Sequence, residues 1–287
     1  MYTKFSLASA LMAASFFLFS CSDSTTNKST NVDSAGTNAA DTANAMQVKE
    51  DSVTYTADGT TFTGFVAYNE AQQGPRPVVL VVPEWWGLND YPRMRAHKLA
   101  ELGYLAMAVD MYGGGKIAAD PQQAQAMATP FYTNPQLAKT RLTAALNKIK
   151  EYAQADTTNV AAIGYCFGGY VVLNAAKLGA PLKGVVSFHG NLTGAPPTKD
   201  MRTKILVCHG GADQFVSDAE LAAFKKSMDS VNAAYTVKVY PGATHAFTNP
   251  AATETGKKFK MPIEYNAAAD TASWNDMKTF FASIFSK

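Results

Sequence analysis

The stretch VAAIGYCFGG, residues 160–169, joins a short apolar run to the start of a helical pattern. Its second half reads G-x-C-x-G-G, the nucleophile-elbow pattern with cysteine in the position usually taken by serine. The turn from strand to helix is sharp, and side chains two residues before and after the nucleophile would clash, so Gly164 and Gly168 flank Cys166. The stretch therefore predicts a strand, a tight turn and a helix, with the Cys166 sulfur above the sheet edge. A buried structural cysteine is the alternative interpretation.

The position of Cys166 at the start of a helix also predicts its reactivity. A helix N-terminus carries partial positive charge and unpaired N–H groups. It therefore favours the thiolate, which is the nucleophilic form of cysteine.

Apolar runs and helical patterns alternate on both sides of this stretch. Residues 52–56 and 61–68 alternate in polarity and predict a hairpin with Asp58-Gly59 in its turn. Further strands are expected at 77–82, 105–109, 160–163, 184–188, 204–208 and 235–240, and helices at 90–102, 134–153, 167–178, 217–231 and 270–285. Strands separated by helices predict an α/β fold with a mostly parallel central sheet and helices on both faces.

The loops after two late strands supply an acid and a histidine. An elbow nucleophile of this kind is followed in chain order by its acid and then by its histidine. Asp213 follows the run ending at Cys208, and His245 follows the run ending at Tyr240. Carboxyl ends of parallel strands are where such folds place their sites. We therefore predict a catalytic triad of Cys166, Asp213 and His245; a loop cap and a surface histidine are the alternatives.

A carboxylate directly after an apolar strand is the remaining unusual feature. Glu84 follows the run at 77–82, where it must be solvated, paired or functional. The loop after this strand normally contributes an N–H to the oxyanion hole, so the backbone N–H groups of Trp85 and Phe167 are the candidates. Substrate-binding walls are expected from the following aromatic residues: Trp85, Trp86, Tyr112 and Phe247. Core packing is the alternative for Trp86 and Phe247.

Five ordered motifs together resemble the dienelactone hydrolase family, within the α/β-hydrolase superfamily. They are P-E-W-W-G at 83–87, D-M-Y at 110–112, G-Y-C-F-G-G at 164–169, H-G-G-A-D at 209–213 and G-A-T-H-A-F at 242–247. The resemblance spans nearly all of residues 51–287 and implies the α/β-hydrolase fold with the same triad. It also implies that Glu84 contacts the resting cysteine and regulates its ionisation until substrate displaces it. Neither a metal nor an organic cofactor is implied.

The sequence departs from that family at two positions that bind a substrate carboxylate. Members acting on dienelactone carry an arginine shortly after the D-x-Y motif and another soon after the histidine. Here the two segments, 113–116 and 246–249, read GGGK and AFTN, so Lys116 is the one cation available. A lysine is not a bidentate carboxylate clamp. We therefore expect a neutral or weakly polar ester, lactone or thioester as substrate, with Lys116 as the candidate replacement for the clamp.

Two other functions stay open on these residues. The chain could be a non-catalytic ligand-binding protein on an α/β-hydrolase scaffold, since fold does not determine function. It could also be an acyltransferase that passes the acyl group to an alcohol or amine. A complete ordered triad favours the hydrolase, an enzyme of the carboxylesterase type.

Residues 1–21 have the character of an export signal. Lys4 supplies a positive start, and residues 5–19 are apolar or small, a run shorter than the roughly 20 residues of a membrane-spanning helix. The end, Leu18-Phe19-Ser20-Cys21, resembles a bacterial lipobox, in which the cysteine receives lipid. A plain signal peptide or a signal anchor is the alternative.

The segment after Cys21 is consistent with export of this kind. Residues 22–50 are rich in Ser, Thr, Asn and Asp and predict a flexible tether, with the folded domain over 51–287. We expect an exported bacterial lipoprotein, periplasmic or in the cell envelope and membrane-anchored through Cys21. The formal net charge is +2, which gives no electrostatic case for nucleic acid. The three cysteines form no disulfide framework or zinc pattern, and no protein partner is indicated.

Overall fold

A computed structural model of the protein describes residues 47–285. The predicted signal at 1–21, with the lipid site Cys21, lies outside the described residues, as does most of the predicted tether. The first strand already begins at Val48, so the folded part starts before the predicted boundary at residue 51. Within 47–285 no helix combines the length and apolar character needed to cross a membrane.

Eight strands and seven helices follow one another along the described part of the chain. The strands are β1 (Val48–Ala57), β2 (Thr60–Asn69), β3 (Arg76–Val82), β4 (Leu105–Ala108), β5 (Ala155–Tyr165), β6 (Gly184–Phe188), β7 (Lys204–Gly210) and β8 (Tyr235–Tyr240). The helices are α1 (Asp90–Glu101), α2 (Pro121–Thr133), α3 (Pro135–Ile149), α4 (Phe167–Lys177), α5 (Asp218–Asp229), α6 (Ala252–Phe259) and α7 (Ala267–Ile284).

All eight strands form one sheet in the order β1-β2-β4-β3-β5-β6-β7-β8. The hairpin of β1 and β2 pairs antiparallel, with Ala57 opposite Thr60 across the predicted Asp58-Gly59 turn. The strands β3 to β8 all run parallel to one another, and β2 joins them through an antiparallel pairing with β4. The prediction of a mostly parallel sheet is therefore confirmed. Its carboxyl edge gathers the loops after β3, β5, β7 and β8.

Both faces of the sheet are buried, which explains why the central strands are apolar throughout. Along β3, Val78, Leu80 and Val82 pack into one hydrophobic core and Val79 and Val81 into the other. This division follows from the two-residue period of a strand. Side chains of α3, α4 and α5 cover the first face, and those of α1 and α7 cover the second.

Two helices, α2 and α6, were not predicted. The α2 sequence PQQAQAMATPFYT has few large apolar residues and contains Pro130, which disfavours a helix interior. Its start is nevertheless well marked, because the Asp120 side chain accepts a 2.9 Å hydrogen bond from the Gln123 N–H and Pro121 occupies the first turn. The second helix, α6, is only eight residues long and lies between the strand expected at 235–240 and the helix expected at 270–285, where no element was predicted.

Candidate active site

Cys166 stands at the turn from β5 into α4 in a strained backbone conformation. It is the N-terminal cap of α4, with φ 53° and ψ −114°. A non-glycine residue at positive φ costs about 1–3 kcal/mol and persists only where its surroundings impose it. Here the chain approaches itself too closely for side chains: a Cβ on Gly164 would run into the Gly168 carbonyl, and one on Gly168 into the Val82 carbonyl. The predicted reason for these two glycines is confirmed.

Two backbone N–H groups of residues that line the pocket lack hydrogen-bond partners among the described residues. Those of Trp85 and Phe167 donate to no acceptor among the described residues. Both residues line the same pocket as Cys166. These are the two N–H groups that the sequence suggested for an oxyanion hole, and they are free to bind a developing negative charge.

Asp213 and His245 come together from the loops after β7 and β8. Oδ2 of Asp213 lies 2.9 Å from Nδ1 of His245, and the carboxylate side chain is fully buried. Its other oxygen, Oδ1, accepts a 2.8 Å hydrogen bond from the backbone N–H of Phe215. With Nδ1 donating to the carboxylate, Nε2 is the nitrogen of His245 left for proton transfer.

The electrostatics of His245 favour a charged ring. Burial acts against the charge, but the neighbouring Cys166 sulfur and the Asp213 carboxylate outweigh it and raise the pKa of His245 to about 10. A protonated imidazole next to cysteine stabilises the thiolate. The pocket therefore places an imidazole that favours its protonated form next to the Cys166 sulfur.

Glu84 lies in the same pocket and is buried. Burial raises its pKa to about 7, against a hydrogen bond from Asn249 and the charges of His245 and Arg95, which lower it. Nδ2 of Asn249 donates to Oε2 of Glu84 at 2.7 Å. The other oxygen, Oε1, has no hydrogen-bond partner among residues 47–285. Only one of the two carboxyl oxygens of Glu84 is therefore held by a hydrogen bond from the described residues.

The pocket has a volume of about 240 Å³ and is mostly apolar. Its wall includes aromatic and aliphatic side chains from five separate segments: Trp85, Trp86, Tyr132, Phe167, Phe215, Val216, Met261 and Ile263. Gln125 and Asn191 add uncharged polar groups. Glu84, Cys166, His245 and Ala246 complete the wall, so no lysine or arginine lines it.

Three residues that were predicted to bind substrate, two of them as pocket walls and Lys116 as the replacement for the clamp, lie elsewhere. Tyr112 is buried under the pocket, where its hydroxyl donates to the Trp85 carbonyl at 2.9 Å and its ring stacks on Phe167. Phe247 is fully buried in the core against His189. Lys116 is exposed and outside the pocket wall. Of the four predicted substrate-binding residues Trp86, Tyr112, Lys116 and Phe247, only Trp86 lines the pocket.

Sequence reasoning missed the wall residues that α2 and the segment after α6 contribute. Gln125 lies on α2, and Met261 and Ile263 follow α6. The signal at Asp120-Pro121, an acidic cap before a first-turn proline, is the one that could have revealed α2. Ile263 is joined to His245 by an isolated parallel bridge, a long-range contact without a local signal.

Comparison with known proteins bears on this site. The sequence model of the dienelactone hydrolase family matches residues 62–285. The chain belongs to the dienelactone hydrolase family. Membership makes it a hydrolase of ester or lactone bonds, as the sequence predicted, and it is consistent with a small-molecule substrate.

The names of three similar proteins agree with membership of this family. A protein of Escherichia coli (strain K12) provisionally named carboxymethylenebutenolidase is 26% identical over 241 residues, covering 78% of this chain and 83% of its own. A protein of the same provisional name from Methylorubrum extorquens is 28% identical over 62% of this chain; the match spans 65% of that relative, just under two thirds. A dienelactone hydrolase-like promiscuous phosphotriesterase from metagenomic libraries has a crystal structure that superposes with a TM-score of 0.79, at 34% identity, over 83% of this chain and 99% of its own.

In this member of the dienelactone hydrolase family, the segment after His245 departs from the pattern that the resemblance implies. The resemblance associates an arginine in this segment with action on dienelactone, and this chain has Asn249 there. Its side chain binds Glu84. No cation replaces the arginine in the pocket wall.

Proposed function

We propose that this chain hydrolyses uncharged carboxylic esters, lactones or thioesters through a Cys166–His245–Asp213 triad and an acyl-cysteine intermediate. The observation that carries the proposal is that Cys166 and His245 line one pocket while Asp213 binds the far side of the His245 ring at 2.9 Å. Nucleophile, base and orienting acid are the three roles that such chemistry requires.

The first half of the reaction transfers the acyl group to sulfur. The Cys166 thiolate attacks the substrate carbonyl carbon, a C–S bond forms, and the carbonyl electron pair moves to oxygen. The free N–H groups of Trp85 and Phe167 stabilise that oxyanion. The intermediate then collapses, the bond to the leaving group breaks, and the leaving alcohol or thiol takes the proton of His245.

The second half releases the acid. Water gives a proton to neutral His245 and its oxygen attacks the acyl carbon. The second tetrahedral intermediate expels the Cys166 thiolate, which restores the imidazolium–thiolate pair. In the lactone case the leaving group remains attached to the acyl chain, so one hydroxy acid is the single product.

Glu84 regulates the cysteine in this proposal. Its buried carboxyl group carries a proton for part of the time at neutral pH because burial raises its pKa to about 7. Oε1 of Glu84 is left without a hydrogen-bond partner among the described residues, in a pocket that Cys166 also lines, and in this proposal it exchanges a proton with the thiol. Substrate that fills the pocket then separates the carboxyl group of Glu84 from the thiol.

The pocket wall supports an uncharged substrate. A bound carboxylate would be desolvated among aromatic and aliphatic side chains, and an unpaired buried charge is costly. Glu84 would repel it when ionised. On α6, the exposed Lys257 is paired with Glu254 at 2.8 Å, and the segment after α6 contributes Met261 and Ile263 to the wall instead of a cation.

The mechanism is tested by hydrolysis of short aryl esters with Cys166→Ala, His245→Ala and the double variant. We expect each single variant to lose most of kcat and the double variant to lose little more, since the residues act as one unit. Cys208→Ala is the matched control, because Cys208 is a buried cysteine of β7 outside the pocket. Mass spectrometry after rapid quenching should find the acyl group on Cys166. Unchanged hydrolysis by Cys166→Ala would remove the mechanism, and product analysis in the presence of an added alcohol separates hydrolase from acyltransferase.

Export and lipidation complete the proposal. The run at 5–19, the Leu18-Phe19-Ser20-Cys21 ending and the polar segment after it are the features that support a lipid anchor. Metabolic labelling with a fatty acid tests this for the full chain. We expect label in the natural protein and none in Cys21→Ser; label that survives the substitution rules out Cys21 as the lipid site.

A further inference from the structure

A second histidine, His189, lies behind the pocket with both ring nitrogens engaged. It follows β6, is 1% exposed, and has a positive φ of 42°. Its Nδ1 accepts a 3.1 Å hydrogen bond from the backbone N–H of Cys166, which also donates to the Phe188 carbonyl at 3.0 Å. Its Nε2 lies 2.7 Å from Oγ1 of Thr248. A nitrogen that accepts carries no proton, so the ring is the neutral tautomer with its hydrogen on Nε2.

The surroundings of His189 keep it uncharged. Burial, and then the nearby His245 and Arg95, hold the pKa of His189 well below its usual range. The rings of His189 and His245 meet edge to face, with centroids 5.2 Å apart. Two charged imidazoles at that distance would repel each other. Because His189 is neutral, it places no positive charge next to His245 that would oppose the protonation of the His245 ring.

Thr248 is itself fixed by a buried polar chain. Its Oγ1 lies 2.7 Å from the hydroxyl of Tyr91, which accepts a 3.3 Å hydrogen bond from Nε of Arg95. Nη2 of Arg95 donates to the Thr248 carbonyl and to Oδ1 of Asp270, each at 2.5 Å. Arg95 lies on α1 and Asp270 on α7, so this series of hydrogen bonds connects Thr248 to two helices.

We propose that His189 is a positioning residue that sets the distance between the Cys166 sulfur and the His245 ring. The proposal rests on the proposed function of those two residues. One nitrogen of His189 holds the strained backbone of Cys166. The other holds Thr248, which is three residues after His245 in the same loop. These two hydrogen bonds of His189 connect the turn that carries Cys166 to the loop that carries His245.

This role predicts an effect on turnover and not on binding. His189 is absent from the pocket wall, so it does not touch substrate. A small misplacement of reacting groups slows the chemical step without removing a substrate contact. We therefore expect variants of His189 to lower kcat and to leave KM nearly unchanged.

The central comparison is His189→Leu against His189→Asn. Leucine fills space but accepts no hydrogen bond. Asparagine places an oxygen near the position of Nδ1 and tolerates positive φ better than most residues. We expect the leucine variant to lose about tenfold or more in kcat and the asparagine variant to recover most of it. The proposal would be overturned if both variants lost kcat equally and in proportion to their loss of thermal stability. It would also be overturned if neither variant lost kcat.

Thr248→Val tests the other bond of the link with almost no change of shape. It removes the oxygen between His189 and Tyr91. Tyr165→Phe is the matched control, because Tyr165 is buried next to Cys166 and its hydroxyl has no partner among the described residues. We expect a lower kcat for Thr248→Val and unchanged kinetics for Tyr165→Phe. Identical behaviour of the two variants contradicts the link.

Nitrogen-15 NMR of histidine-labelled natural protein tests the tautomer without any substitution at the link. We expect His189 to stay neutral with its proton on Nε2 from mildly acidic to mildly alkaline pH. A proton on Nδ1, or a charged ring near neutral pH, overturns the proposal. If Cys166→Ala is inactive and the His189 variants are normal, only this inference fails; if Cys166→Ala is active, the proposed function fails first.

Discussion

Nδ2 of Asn249 donates a 2.7 Å hydrogen bond to Oε2 of Glu84, and both residues are buried. The other carboxyl oxygen, Oε1, has no partner within the described chain. Burial raises the pKa of Glu84 to about 7, and the Asn249 bond is the strongest influence that lowers it. Desolvation therefore disfavours the ionised form of Glu84, and the Asn249 amide, followed by the charges of His245 and Arg95, favours it.

Replacing Asn249 should shift the pH dependence of the reaction. Asn249→Leu removes the hydrogen bond that stabilises the charged form, so the pKa of Glu84 should rise further. We expect the acidic limb of kcat/KM against pH to move to higher pH. The same substitution in a Glu84→Gln background is the control and should produce no shift. A shift of equal size in that background would place its origin outside Glu84.

Glu84 should make the folded protein less stable as pH rises. Its pKa is about 7 in the fold and 4.5 in the ordinary case, so the unfolded chain loses its proton first between these values. The stability of the protonated form is fully present below pH 4.5 and lost as pH approaches 7. Glu84→Gln removes this dependence and should be more stable by about 3 kcal/mol at pH 7 and above, with no such gain in acid.

Urea denaturation across this pH range measures the effect. The exposed Glu101→Gln is the control, since Glu101 lies on the surface of α1. A stability difference between Glu84→Gln and the natural protein that is constant with pH would contradict the assignment of a raised pKa to Glu84.

A cation placed in the pocket wall should change substrate preference. Gln125 is exposed on α2 and lines the pocket, so Gln125→Arg can supply the charge that the wall lacks. We expect kcat/KM for carboxylate-bearing esters to rise a few-fold relative to neutral esters, about 1 kcal/mol, since the new pair is partly exposed. Gln125→Met is the uncharged control. An unchanged ratio would show that charge in the wall does not limit these substrates.

Gly168 should be irreplaceable for reasons of space. A Cβ there would meet the backbone carbonyls of Val82 and Pro83, which cannot move aside as a flexible side chain can. Gly168→Ala should therefore cost about 3 kcal/mol or more in the free energy of unfolding. Gly179→Ala is the control: it has open space around it but a φ of 76°, so only about 1 kcal/mol is expected. If Gly168→Ala and Gly179→Ala lost similar amounts of stability in thermal denaturation, the backbone around Cys166 would have shifted to make room for the added methyl group.

The strands and the elbow were readable from sequence because their signals are local. The apolar run of β3 reflects burial on both faces, and the glycines around Cys166 reflect chain approach within a few residues. Fold class and the order of nucleophile, acid and histidine followed from these patterns. The two helices that were missed, α2 and α6, have weak local signals because Pro130 interrupts one and the other is eight residues long.

The sequence by itself determined which segments form strands, where the turn at Cys166 lies, and which residue types follow the late strands. Only the tertiary structure decided which side chains share the pocket. Periodicity tells which face of an element is apolar, but not what packs against that face. Tyr112 and Phe247 are accordingly buried where exposure to the pocket was expected, and Met261 reaches the wall from a segment without a pattern. The neutral state of His189 and the pKa of Glu84 depend on burial and on partners far along the chain, so tertiary packing alone sets them.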